Sequence, residues 1–74
     1  MELNFYDIKH KLSDREYEIF ILIGEGFDSK TISKQLNIAV STTETHRKNI
    51  RKKLKLINTN RNKLFEIAYK HVTT

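Results

Sequence analysis

Between Ser41 and Lys55 the sequence reads STTETHRKNIRKKLK, and six of its side chains are cationic: Arg47, Lys48, Arg51, Lys52, Lys53 and Lys55. One acid, Glu44, stands among them. Ammonium and guanidinium groups at this density do the chemistry of anion neutralisation, and the matching polyanions are nucleic-acid phosphates, an anionic membrane or an acidic protein. The rest of the chain carries eight Lys/Arg against eight Asp/Glu, so the whole formal net charge of +5 arises in this segment. Like charges gathered on one segment destabilise a compact state, whereas a chain that needs only solubility intersperses both signs. The bland alternative is a solvated, charged helix face.

Other chemistries have less to stand on. His10, His46 and His71 are scattered and there is no cysteine, so the sequence offers no metal-site spacing. It also lacks a nucleophile–base pair, a carboxylate dyad and a phosphate-cradling loop, which points away from an enzyme and from any cofactor. Tyr17, Phe20, Phe27, Phe65 and Tyr69 do not interleave with the basic run, so they read as core or domain-surface aromatics, not as a stacking platform for single strands. Within 74 residues there is room for one small core. No apolar run reaches the roughly 18 to 20 residues of a membrane span, and the start, MELNFYDIKHK, lacks the order of a secretory signal, so a cytoplasmic, non-membrane protein is expected.

The elements that must position these residues are helical. With no proline and only Gly24 and Gly26, strand-and-turn architectures have little punctuation. Ser13-Asp14-Arg15-Glu16 fits a capping box and predicts a helix from about Asp14 to Gly24, with Ile19, Phe20 and Ile23 on one face, Tyr17 and Leu22 flanking, and Gly24-Glu25-Gly26 as its stop. Glu16 is the cap partner; a second reading pairs it also with a cation of the third helix. Asp28 or Ser29 caps a short second helix carrying Ile32 and Leu36, which stops near Asn37. Two short helices so closely joined form a helix-turn-helix. On the third helix Thr43, Ile50 and Leu54 make a buried stripe, while Ser41, Glu44, Thr45, Lys48, Lys52 and Lys55 spread over the opposite side. His46 lies at the edge of that stripe, as a packed histidine. A fourth helix is predicted from Thr59 or Asn60 to Lys70, with Leu64, Phe65, Ala68 and Val72 inward and Ile67 pointing elsewhere. Leu3, Phe5, Ile8 and Leu12 either close the core or belong to a linker.

LSDREYEIFILIGEGFDSKTISKQLNI followed by STTETHRKNIRKKLKL resembles the LuxR-type (GerE- or NarL-like) DNA-binding domain. Leu12, Arg15, Glu16, Glu18, Gly26, Lys30, Ile32, Leu36, Ile38, Thr42, His46, Asn49, Ile50, Lys53 and Leu54 coincide with the family pattern. The resemblance implies an all-α, four-helix domain over residues 12–72, preceded at 1–11 by an arm or linker remnant. It further implies sequence-specific binding of double-stranded DNA for transcription regulation, with a recognition helix at about 40–55 in the major groove. Bases would be read mainly from Glu44, Thr45 and Lys48. The DNA-binding candidates are Lys30, Ser41, Thr42, Glu44, Thr45, His46, Arg47, Lys48, Arg51 and Lys52. Family members commonly dimerise through the fourth helix, which offers Ile67 and Tyr69, and many carry a receiver or ligand-sensing domain ahead of this one, as a response regulator does.

The sequence departs from the pattern at several places. Ala39 replaces the Ser/Thr that follows the turn, which removes a cap worth about 1 kcal/mol. Ser41-x-x-Glu44 offers a replacement capping box, so Glu44 either caps the backbone or reads a base such as cytosine. Ser33 replaces an alanine and Thr43 a valine, while Thr59 stands where an arginine is common and Arg61 follows two places on. Two rival functions remain: a sigma-like docking module for RNA polymerase, and a nonspecific nucleic-acid-binding protein.

Overall fold

The computed structural model describes residues 5–60 and 62–74, and within them the chain forms five helices and no strand: α1 (Phe5–Lys11), α2 (Asp14–Gly24), α3 (Ser29–Leu36), α4 (Val40–Lys53) and α5 (Lys63–Thr73). The all-α expectation holds, with a short helix ahead of the four predicted. Leu3, the Phe5 side chain and Arg61 lie outside the described residues. Ile8 and Leu12 are buried, so this part of the N-terminal segment helps to close the core.

Helix α2 is central and packs against α3, α4 and α5. Its start is the expected capping box: the Glu16 amide donates to Ser13 Oγ at 3.2 Å and the Ser13 amide donates to Glu16 Oε1 at 2.9 Å. Ile19, Phe20 and Ile23 bury the predicted face and meet Ile32 of α3, Ile50 of α4 and Leu54 just past its end, and Leu64 and Ala68 of α5. Truncating a fully buried aromatic such as Phe20 to alanine costs about 3–5 kcal/mol, a large share of the roughly 5–15 kcal/mol typical of a whole domain. Gly24 serves packing and not, as expected, the helix stop. A Cβ there would lie 2.4 Å from the Ala68 carbonyl oxygen, so the α2–α5 crossing is close enough to require its absence.

The ends of α2, α3 and α4 repeat one device. Gly26 (φ 97°), Asn37 (φ 56°) and Lys55 (φ 59°) adopt positive φ. The next amide, of Phe27, Ile38 or Leu56, donates back to the carbonyl of Leu22, Ser33 or Arg51 respectively. These are Schellman closures, which satisfy last-turn carbonyls and return an apolar side chain to the helix. Asn37 matches the expectation; Lys55 is the one with no propensity for the conformation.

Helix α5 begins at Lys63, three or four residues later than expected, because Asn60 Oδ1 accepts the Asn62 amide at 2.7 Å and holds a turn there. Its inward stripe is also rotated. Leu64 and Ala68 are buried and Ile67 packs against the core, while Phe65, expected inside, is 42% exposed. His71 takes the inner position, where its Nε2 meets the Tyr17 hydroxyl at 2.9 Å and its ring packs edge-on against Phe20. The expected stripe of Leu64, Phe65, Ala68 and Val72 does not include His71.

Candidate nucleic-acid interface

Helix α3, a turn at Asn37, Ile38 and Ala39, and helix α4 form the predicted helix-turn-helix. The two helices are tied together by residues that look in the sequence like two unrelated departures. Ser33 and Thr43, both buried, meet with their hydroxyl oxygens 2.6 Å apart. Ser33 Oγ also lies 2.6 Å from the Ser29 carbonyl, to which its one proton donates, so Thr43 is the donor of the inter-helix bond. A second rung follows one turn back on α3, where the Ser29 hydroxyl donates to Glu44 Oε2. Adjacent residues of α4, Thr43 and Glu44, are thus fastened to Ser33 and Ser29.

The predicted site residues divide by their surroundings. Ser41, Thr42, Glu44, Thr45, Lys48 and Lys52 are exposed on α4 and Lys30 is exposed on α3, while His46, Arg47 and Arg51 are half-buried. The Thr45 hydroxyl donates to the Ser41 carbonyl at 3.0 Å, which engages its polar end with the helix backbone. Arg47 Nε lies 3.7 Å from Glu44 Oε2. These two side chains, with Phe27, Ser29, Lys30 and Phe65, line an open groove of about 440 Å³ where α3, α4 and α5 meet. Arg51 reaches round the end of α4, its guanidinium 3.4 Å from the Leu56 carbonyl oxygen. Helix α4 ends at Lys53, short of the 55 expected for the recognition helix, so Lys55 sits in the closing turn.

The replacement capping box at Ser41–Glu44 does not form. Helix α4 starts at Val40 with Ala39 in the N-cap position and no side-chain cap bond, and Glu44 accepts instead from Ser29 and lies beside Arg47. Sequence reasoning misses Val40, half-exposed at the start of α4, and names Ser29 only as an alternative to Asp28 as the α3 cap, not as the partner of Glu44. The usable signal for Ser29 is its spacing, one turn before Ser33 on the same helix face.

At the far end of α4, Lys53 Nζ donates to Glu16 Oε1 at 2.7 Å. The second reading of Glu16 is therefore the observed one: the carboxylate closes the α2 cap and also anchors α4. Burial pushes its pKa up, but the Lys53 bond and charge and the Ser13 donors outweigh this and leave it lowered. His71, at the α2–α5 contact, has its pKa lowered by burial. On α3 the Asp28 carboxylate accepts the Thr31 amide at 2.8 Å, which lowers its pKa as a helix cap should. Among the described residues no group of three His, Cys, Asp or Glu side chains is placed to hold a metal ion, and no helix is long and apolar enough to cross a membrane.

The sequence pattern of the bacterial regulatory proteins of the luxR family (GerE) matches residues 10–68. The chain is 45% identical over 49 residues to the uncharacterized response regulatory protein YgeK of Escherichia coli, covering 66% of this chain and 33% of that protein. It is 46% identical over 48 residues to the transcriptional regulatory protein MctR of Rhizobium johnstonii, covering 65% and 22%. To the oxygen regulatory protein NreC of Staphylococcus carnosus it is 44% identical over 45 residues, covering 61% and 21%. The chain thus spans between about a fifth and a third of the length of these relatives. No solved structure matches it significantly. With the family pattern covering most of its length and a helix-turn-helix at its centre, the chain belongs to the LuxR family of bacterial regulatory proteins.

Proposed function

We propose that this domain binds double-stranded DNA and regulates transcription, laying the outer face of α4 in the major groove. The observation that carries this reading is the two-sidedness of α4. Thr43, Ile50 and Leu54 are buried behind it, while Ser41, Thr45, Lys48 and Lys52 stand exposed along its front. A rigid helix with donors and cations on one side suits a groove walled by phosphates. Lys30, Lys48 and Lys52 supply charge to the backbone. Arg47 and Arg51 flank the front face, and Thr42 and His46 its other edge. Thr45, with its hydroxyl turned to the helix, presents a methyl suited to thymine.

One module of this size buries little surface, so useful specificity calls for two copies on repeated half-sites. Helix α5 is the face for this pairing, because Phe65 and Tyr69 are exposed on it with ring centroids 5.8 Å apart. Ile67, expected to contribute, packs against the core instead. Such a domain acts by binding, in the cytoplasm where the DNA is, and needs no cofactor. Selection from a random duplex pool followed by sequencing tests the proposal. A recovered pair of related half-sites is expected, whereas recovery of unenriched sequence, or capture of RNA polymerase without DNA, would refute it.

A further inference from the structure

Glu44 is out of place in the proposed site, since a carboxylate on a surface that meets phosphates opposes binding. It is nevertheless held there and not merely tolerated. The Ser29 hydroxyl donates to Oε2, and Arg47 Nε lies 3.7 Å from the same oxygen. Ser29 is itself fixed, because its carbonyl accepts the Ser33 hydroxyl that in turn receives the bond from buried Thr43. A chain of hydroxyls thus runs from the interior of the helix-turn-helix to this carboxylate. Both contacts fall on Oε2 and the side chain stays 58% exposed, which leaves Oε1 as an acceptor for an incoming donor.

We propose that Glu44 reads a cytosine in the major groove, and that Ser29 is the positioning residue that aims it; this rests on the reading of α4 as the groove-binding helix. An ionised carboxylate only accepts hydrogen bonds. The donors on base edges in the major groove are cytosine N4 and adenine N6. Adenine sets its N7 acceptor beside N6 on the same base and repels the second carboxylate oxygen, whereas cytosine carries no acceptor beside N4 on its own edge. Guanine and thymine present acceptors to the carboxylate and are rejected. Lys48, one turn further along α4, supplies the cation that offsets the negative charge at the phosphates.

The test is a selection from a random duplex pool, followed by affinity measurements on duplexes differing at single positions, for the full chain and for Glu44→Gln, Ser29→Ala and Ser29→Thr. The parent is expected to prefer cytosine at one position of each half-site by roughly 5- to 150-fold. Glu44→Gln should move that one preference towards adenine, which an amide reads through N6 and N7. Ser29→Ala should weaken the cytosine preference and leave the other positions unchanged, and Ser29→Thr, which keeps the hydroxyl, should retain it. The proposal is overturned if Glu44→Gln tightens binding to all duplexes by one factor with the base profile intact, because Glu44 would then act only by repulsion. It also falls if no preference maps to Glu44 while other positions remain specific, an outcome that spares the DNA-binding reading; a parent with no preference anywhere removes both.

Discussion

Removing only the Ser33 hydroxyl should damage this fold more than removing the Ser33 and Thr43 hydroxyls together. Thr43 is fully buried and its hydroxyl donates to Ser33 Oγ at 2.6 Å. Ser33→Ala therefore leaves a buried hydroxyl without its partner, at about 1–3 kcal/mol. Thr43→Val leaves Ser33 still donating to the Ser29 carbonyl and should cost less, about 0.5–1.5 kcal/mol. In the double variant both positions are apolar and Thr43→Val keeps its shape, so its loss should stay below about 1 kcal/mol and the coupling between the sites should exceed about 0.5 kcal/mol. For a domain of this size each kcal/mol moves Tm by about 4–8 °C, so urea titration and thermal melts resolve the cycle. Because the backbones of α3 and α4 keep their approach, the double variant should also keep the parent's salt dependence of duplex binding, although Ser29 loses the hydroxyl that supports it. Additive losses in the two single variants would refute the idea that these hydroxyls serve chiefly each other.

Other consequences follow from neighbouring features. Ala39→Ser restores a hydroxyl at an N-cap whose extended backbone (φ −67°, ψ 149°) already suits capping, and should raise stability by about 1 kcal/mol in the same melts. Gly24→Ala places a Cβ 2.4 Å from the Ala68 carbonyl oxygen; the strain of about 1–3 kcal/mol should outweigh the gain of up to ~1 kcal/mol in helix propensity and lower Tm. His71 has a lowered pKa in the fold, so the unfolded chain takes up its proton first. Stability should be constant above the ordinary histidine value of 6.5 and decline as pH falls below it. Urea titrations of His71→Phe across this range should show the slope removed. Glu16, also lowered, contributes a second decline only below its ordinary value of 4.5, which Glu16→Gln should abolish.

Much of this fold was legible because local and tertiary signals agreed. Ser13 and Glu16 announced the start of α2, the spacing of Ile19, Phe20 and Ile23 gave its buried face, and Asn37 marked the end of α3. The front of α4 was legible for the same reason, its apolar back being unambiguous. Failures arose where a polar side chain had a tertiary partner that no local pattern reveals. The expected inward stripe of its helix leaves His71 out, and its partner Tyr17 lies far away in sequence. Ser33 and Thr43 each look like a weak substitution, and only their contact makes them a pair. Glu44 offered a local capping box, but Ser29 on the neighbouring helix holds its carboxylate. Lys53 belonged to the basic run by sequence and to Glu16 by structure. Lys55 shows the remaining kind of miss, since it adopts a left-handed conformation that its own propensity argues against.

The central claim, that the exposed front of α4 meets DNA phosphates and bases, is tested most directly by the salt dependence of duplex binding for the parent and for Lys48→Ala. Lys48 is exposed on that front, so its removal leaves the core intact. The account predicts weaker binding and a fall of about 0.9 in the slope of log K against log salt concentration, as expected when one phosphate is no longer neutralised by the protein. A folded Lys48→Ala protein with the parent's affinity and the parent's slope would contradict it.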